Sequence, residues 1–203
     1  MNPTRHSFFP RWAIWVALIG VFALPLMIAG LWYVNVDQWG VGATSNYGNL
    51  ITPPVKLRIT PLQWIAGPQA YGPRYFHGRW TLVYIGRANC NPDCRAAIYA
   101  TRQIRLALGE QIRRVQRLYV VTHRPRKLAF LRVEDPDLTI VMAKGRTGRD
   151  FIRQFFAAAH AHLGQRIYLV DPMGNLMMSY PAAVNPAGLL RDLKRLLSVS
   201  EIS

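Results

Sequence analysis

The chain has 203 residues, and 51% of them are hydrophobic. Its formal charge is +15, and it contains only two cysteines. This length accommodates about one domain of ordinary size beside a membrane segment, and two cysteines are too few for a disulfide-stapled scaffold. The basic residues are scattered, and the sequence contains no helix-turn-helix, zinc-finger or RNP pattern. We therefore expect no nucleic-acid partner and interpret the charge as a solvated surface close to lipid headgroups.

An uncharged apolar run covers residues 12–34. At about 1.5 Å per residue it is long enough to cross a bilayer as one helix. Arg5 and Arg11 precede the run, whereas the next basic residue after it is Lys56. The positive-inside rule predicts that residues 1–11 are cytoplasmic and that the rest lies outside. A cleaved signal peptide would normally have a shorter apolar core. We predict a single-pass protein of a bacterial-type inner membrane, anchored in the lipid bilayer, with its C-terminal domain in the periplasm.

The segment that follows, residues 35–78, is rich in glycine and proline. This composition is typical of an extended stem with short strands at most. Residues 55–59 alternate apolar and basic side chains, which predicts one edge strand within the stem. We expect the folded domain to begin at residue 79.

Residues 79–203 carry a regular succession of strand and helix patterns. Compact apolar runs predict strands, and apolar residues three and four apart predict helices. The predicted strands cover residues 80–85, 118–121, 138–142, 166–170 and 176–180, and the predicted helices cover residues 92–108, 149–163 and 186–197. The third of these strands is either a true sheet member or an extension packed on the sheet. The order strand, helix, strand, helix, hairpin, helix, with the first two strands parallel, predicts an α/β domain with a thioredoxin-like fold.

Both cysteines of the chain lie between the first of these strands and its helix. Cys90 and Cys94 sit at the predicted helix start, where free N–H groups and the helix dipole favour thiolate over thiol. A separation of four residues at a helix start leaves the Cα atoms about 6 Å apart, which is within disulfide range. An inert buried pair would be the structural alternative. The position favours redox chemistry or metal binding, with Cys90 and Cys94 as the catalytic residues.

Two segments resemble one known family. The run GRWTLVYIGRANCNPDC and the later run RIYLVDPMGNLMMSYP are similar to the active-site segment and the hairpin of the Sco proteins, copper chaperones of cytochrome c oxidase assembly. The resemblance implies a thioredoxin fold and a site in which two cysteines and one histidine hold copper. It further implies a membrane-anchored factor for assembly of a respiratory copper oxidase, acting by copper delivery or by reduction of the copper-site thiols. Its partner would be an oxidase subunit or another assembly factor.

The third copper ligand is the point at which the resemblance departs from the family pattern. The family places its histidine shortly before the hairpin strand, and a gapless register counted back from Pro172 puts Leu163 at that position. His162 is one residue away, so the resemblance implies a copper site of Cys90, Cys94 and His162. His123 is the alternative, because it ends a strand whose carboxyl end lies at the same sheet edge as the cysteines.

The sequence leaves two other functions open. A membrane-tethered thiol–disulfide oxidoreductase with another client would use the same cysteine pair. The C-x-x-x-C spacing and the absence of a proline before Arg166 both differ from a general oxidoreductase. A degenerate, non-catalytic scaffold is the other alternative. The acidic cluster Glu134, Asp135 and Asp137 is interpreted as a solvated turn.

Overall fold

The chain consists of two compact units, Met1–Ser45 and Asn46–Ser203. The computed structural model describes residues 10–35, 46–87, 89–123, 129–159 and 166–200. In the first unit, helix α1 (Arg11–Asn35) contains the stretch Trp12–Leu31, which has a mean hydropathy of 2.4 and is not buried. Such an apolar surface suits lipid rather than water. The predicted membrane segment is thus a helix long and apolar enough to cross a bilayer.

The second unit is built on one mixed sheet of seven strands in the order β1-β7-β6-β3-β4-β5-β2. The strands are β1 (Asn49–Lys56), β2 (Gln63–Ala66), β3 (Trp80–Gly86), β4 (Val115–Val121), β5 (Leu138–Met142), β6 (Arg166–Val170) and β7 (Asn175–Pro181). The helices are α2 (Pro92–Leu106), α3 (Ala129–Glu134), α4 (Gly145–Ala158) and α5 (Pro186–Val199), with a 3-10 turn at Gly109–Arg114. Strands β3, β4 and β5 are parallel, and β6 and β7 form the predicted antiparallel hairpin.

The predicted strands and helices of residues 79–203 are confirmed, apart from some of their ends. Strand β4 begins at Val115, earlier than expected, and β5 is a full member of the sheet. The helix predicted over residues 149–163 begins earlier, at Gly145, and ends at Ala158 with Ala159 as its C-cap. Residues 160–163 of that prediction lie outside the described residues.

Two strands come from the segment that was predicted to be a stem. Strand β1 pairs antiparallel with β7, and β2 pairs antiparallel with β5, so both edges of the sheet are formed by residues before 79. The predicted edge strand at residues 55–59 is wrong in its bounds, because β1 ends at Lys56. Pro53 and Pro54 lie where the register of β1 shifts, and proline is tolerated at such edge positions because no ladder donor is needed there.

A buried carboxylate also holds the start of this segment on the domain. Asp192 of α5 is 4% exposed and accepts hydrogen bonds from the backbone N–H groups of Tyr47 and Gly48 and from the Tyr180 hydroxyl, at 2.9 to 3.1 Å. These bonds join the residues before β1 to the last helix and to β7. Residues 46–78 are therefore part of the sheet domain rather than a separate stem.

Helices cover both faces of the sheet. On one face, α2 and α5 pack Ile98, Ile104 and Leu193 against the strands. On the other face, α4 contributes Phe151 and Phe155. All residues of β3, β4 and β5 are buried as a result. This two-sided burial explains why these strands are continuous apolar runs rather than alternating ones.

The prediction of a solvated acidic turn was wrong for Asp135 and Asp137, which bind a buried arginine, whereas Glu134 is exposed as expected. Arg117 of β4 is 1% exposed, and its guanidinium binds Asp135 at 2.8 Å and Asp137 at 2.5 Å. The same guanidinium donates to the carbonyl of Ile98 in α2, and Arg105 of α2 binds Asp137 at 2.9 Å. Burial by itself raises the pKa of Asp137, but the hydrogen bond and charge of Arg117 and the charge of Arg105 outweigh it, and the pKa is lowered. The cluster thus links α2, β4 and the loop before β5.

Candidate functional site

The cysteine pair lies at the junction between the end of β3 and the first turn of α2. Asn91 is the N-cap of α2, and its side-chain oxygen accepts a hydrogen bond from the backbone N–H of Cys94 at 3.0 Å. Pro92 occupies the first helical turn, as predicted, where its missing N–H costs nothing. Cys94 therefore sits within the first turn of the helix, where N–H groups and the dipole stabilise negative charge.

Cys90 and Cys94 form a disulfide, with their Cα atoms 5.2 Å apart. The two sulfurs differ in access. Cys94 is 2% exposed and belongs to the core beneath α2, whereas Cys90 is partly exposed at the edge of that core. A thiol or disulfide from solvent therefore meets Cys90 first, and Cys94 is the inner sulfur of the pair.

Two tyrosines beneath the disulfide were not found by sequence reasoning. The Tyr119 hydroxyl lies 3.5 Å from Sγ of Cys94 and donates a hydrogen bond to the carbonyl of Arg87 at 2.6 Å. Tyr84 pairs in register with Tyr119 on the neighbouring parallel strand, and the ring centroids are 5.5 Å apart. The signal was available, since each tyrosine stands two residues before the end of its strand, at the edge that carries the cysteines.

Both phenols are neutral at any physiological pH. Burial, and next the charge of Asp93, raise the pKa of Tyr84 to about 12, and burial also raises the pKa of Tyr119. In the described part of the chain, the buried Tyr84 hydroxyl has no hydrogen-bond partner. A neutral Tyr119 can accept a hydrogen bond from the Cys94 thiol, or donate one to the Cys94 thiolate if it releases Arg87. Its hydroxyl is therefore placed to stabilise a thiolate at this buried sulfur.

Replacement of Tyr119 by phenylalanine is therefore expected to slow closure of the Cys90–Cys94 disulfide from the reduced state. A hydrogen bond to a charged group is worth roughly 1.5 kcal/mol or more, which corresponds to about tenfold less Cys94 thiolate. Because a thiolate of higher pKa is also more nucleophilic, the expected loss of rate is smaller, about three- to fourfold. The rate of closure by oxidised glutathione, followed by mass spectrometry of quenched samples, measures the effect. Tyr84→Phe is the matched control, because that hydroxyl makes no contact with sulfur, and equal rates in the two variants would contradict this role for Tyr119.

Of the two histidines predicted as third ligands, the structure describes His123. His123 follows β4 at the predicted sheet edge, but it is exposed and its Nδ1 lies 2.9 Å from the hydroxyl of Thr122. His162 lies outside the described residues. Among the residues that are described, no group of three or more histidine, cysteine or acidic side chains is placed to hold a metal ion. The donors that are in place are the two sulfurs, which suit soft copper(I) only when the disulfide is reduced.

Comparison with known proteins confirms the predicted fold. The family model described as a transmembrane-like, thioredoxin-like, C-terminal domain matches residues 80–200. No curated protein sequence matches the chain.

Several solved structures share the thioredoxin-like architecture at low sequence identity. Apo Sco1 from Thermus thermophilus is 16% identical, with a TM-score of 0.55 over 74% of this chain and 96% of its own. Copper-bound ScoI from Arabidopsis thaliana is 12% identical, with a TM-score of 0.55 over 70% of this chain and all (100%) of its own. BsSco, described with a disulfide switch and as a member of the Sco family of cytochrome c oxidase assembly proteins, is 13% identical, with a TM-score of 0.51 over 74% of this chain and 99% of its own. The resemblance noted from the two sequence motifs thus extends to the fold.

Proposed function

Because the chain belongs to the family of transmembrane-like, thioredoxin-like C-terminal domains, we propose that it is a membrane-anchored, Sco-like dithiol factor for assembly of a respiratory copper oxidase. The observation that carries the proposal is the asymmetric disulfide at the start of α2, with Cys90 partly exposed and Cys94 buried against Tyr119. The likeness to BsSco supports the choice of client. The sheet domain would act outside the cytoplasm, tethered by α1 to an inner membrane of bacterial type.

The reaction we favour is reduction of a disulfide at the copper site of the oxidase. The Cys90 thiolate attacks one client sulfur, a mixed disulfide forms, and the other client sulfur leaves as a thiolate. The Cys94 thiolate then attacks Sγ of Cys90, which closes the Cys90–Cys94 disulfide and releases the second client thiol. Two electrons pass to the client, and a dithiol reductant of the same compartment would have to restore the reduced pair.

A second candidate is delivery of copper itself, as substrate rather than resident cofactor. Two reduced thiolates are a soft donor set that selects copper(I), and the copper-bound relative from Arabidopsis thaliana supports this reading. Both activities need the same two cysteines in the reduced state. They differ in whether the client is joined covalently to Cys90.

Capture of the client tests the proposed function. In cells that carry Cys94→Ser in the full-length protein, Cys90 is expected to form a mixed disulfide that cannot resolve, and mass spectrometry after alkylation should identify the copper-site subunit of the oxidase. Cys90→Ser is the matched control and should capture little, because Cys94 is buried. Capture of other proteins alone would assign the chain to oxidoreductases with another client, and absence of any mixed disulfide would leave copper delivery or a scaffold role.

A further inference from the structure

A cavity opens beside α4, and neither cysteine is among the described residues that line it. It has a volume of about 550 Å³ and lies at the carboxyl ends of β4 and β5. Cavities of this size hold small organic molecules. The cavity lies at the sheet edge that also carries the cysteine pair, and His123 is part of its lining. Ile152 and Phe156 belong to the core cluster on the α4 face, whereas Met142 belongs to the cluster beneath α2.

The walls of the cavity combine two kinds of side chain. Met142 from β5 and Ile152 and Phe156 from α4 are apolar. Lys144, Arg149 and Arg153 provide cationic groups on the same cavity, and no carboxylate lines it among the described residues. An apolar wall beside convergent positive charge is complementary to an organic anion.

Two of the three cationic side chains of this cavity, Lys144 and Arg149, have no carboxylate partner among the described residues. Asp150 pairs with Arg153 at 3.4 Å on the surface, and no described carboxylate lies within ion-pair distance of Lys144 or Arg149. Helix α4 begins at the cavity. Its N-cap residue, Lys144, makes no side-chain capping hydrogen bond, and its first turn contains no acidic residue. The helix dipole therefore adds to the positive potential there rather than offsetting it.

We propose that this cavity binds a small organic carboxylate with an apolar body. The carboxylate would lie against Lys144 and Arg149, and the body would pack on Met142, Ile152 and Phe156. This binding does not depend on the cysteine pair, so it stands or falls separately from the proposed function.

Fluorine NMR of three probes tests the site on the full-length protein in nanodiscs of zwitterionic lipid. The probes are 4-(trifluoromethyl)benzoate, the neutral 4-(trifluoromethyl)benzyl alcohol and trifluoroacetate, which has the charge but no apolar body. Relative to empty nanodiscs, the benzoate signal should broaden on addition of protein, with affinity about tenfold or more above that of either other probe.

A charge-matched pair of variants locates the binding. Lys144→Gln with Arg149→Gln should weaken benzoate binding about tenfold or more, since it removes two charged donors. Lys194→Gln with Arg113→Gln removes the same charge from exposed positions outside the cavity and should leave binding unchanged. All four side chains are exposed, so folding is not at issue. Three results would each overturn the proposal. The wild-type protein could fail to bind the benzoate, both double variants could weaken binding equally, or the alcohol could bind with the same affinity as the benzoate.

Discussion

Replacement of Arg117 by alanine is expected to lower the free energy of unfolding of the sheet domain by about 3–5 kcal/mol, the usual cost of breaking a buried ion pair from one side. The Arg117 side chain is fully buried, and that of Asp135 is 7% exposed. Without the guanidinium, Asp135 would be left as a buried charge with no counter-ion. The carbonyl of Ile98 would lose a donor as well, so α2 would be held less firmly on β4.

The measurement is denaturant unfolding of the full-length protein in detergent micelles, followed by near-ultraviolet circular dichroism. Arg153→Ala is the matched control, because its pair with Asp150 is exposed on both sides and should contribute less than about 1 kcal/mol. Arg117→Lys should fall between wild type and Arg117→Ala, since an ammonium keeps the charge but cannot span Asp135, Asp137 and the Ile98 carbonyl as the planar fork does. Equal stabilities for Arg117→Ala and Arg153→Ala would refute the structural role of the network.

The sequence predicted those elements whose signal is local. Strand β3 is a continuous apolar run closed by Gly86, and α2 begins at Pro92 and repeats apolar residues at helical spacing. The parallel pairing of β3 with β4 followed from the helix between them. These features do not depend on contacts with distant parts of the chain.

The edge strands were not predictable in the same way. In β1, Pro53 and Pro54 interrupt the alternation of apolar and polar side chains, so the segment has the composition of a loop. Its strand character comes from pairing with β7, whose residues lie far along the chain. Tertiary pairing of this kind overrides local propensity.

The prediction that the acidic turn is solvated failed for a related reason. Whether Asp135 and Asp137 face water depends on whether a counter-ion is buried nearby, and that counter-ion is Arg117 in the middle of an otherwise apolar strand. A single arginine in such a strand predicts a buried partner but does not identify it. The cysteine pair, by contrast, was located correctly because the strand before it and the helix after it fix its position.

Copper(I) binding should distinguish the two proposed activities, and it is expected to require the reduced pair. The thiolates of Cys90 and Cys94 are soft ligands, whereas the oxidised protein holds both sulfurs in a disulfide and should bind no copper(I). Cys90→Ser and Cys94→Ser should each weaken binding by at least about 10- to 100-fold, because loss of a direct ligand costs no less than loss of a group that orients one. Competition against a chromophoric copper(I) chelator, under anaerobic conditions with the full-length protein, measures the affinity.

The third ligand is the finer test, and the histidines provide matched variants for it. If His162 completes the site as the family resemblance implies, His162→Ala should weaken copper(I) binding about tenfold or more, while His123→Ala should not. The reverse result would assign the ligand to His123, which follows β4 at the same sheet edge as the cysteines. If both histidine variants bind like wild type, the site has two sulfur ligands and differs from the family pattern. If reduced wild type binds no copper(I), delivery is excluded, and thiol reduction at the oxidase remains the activity that the disulfide, Tyr119 and the exposed face of Cys90 support.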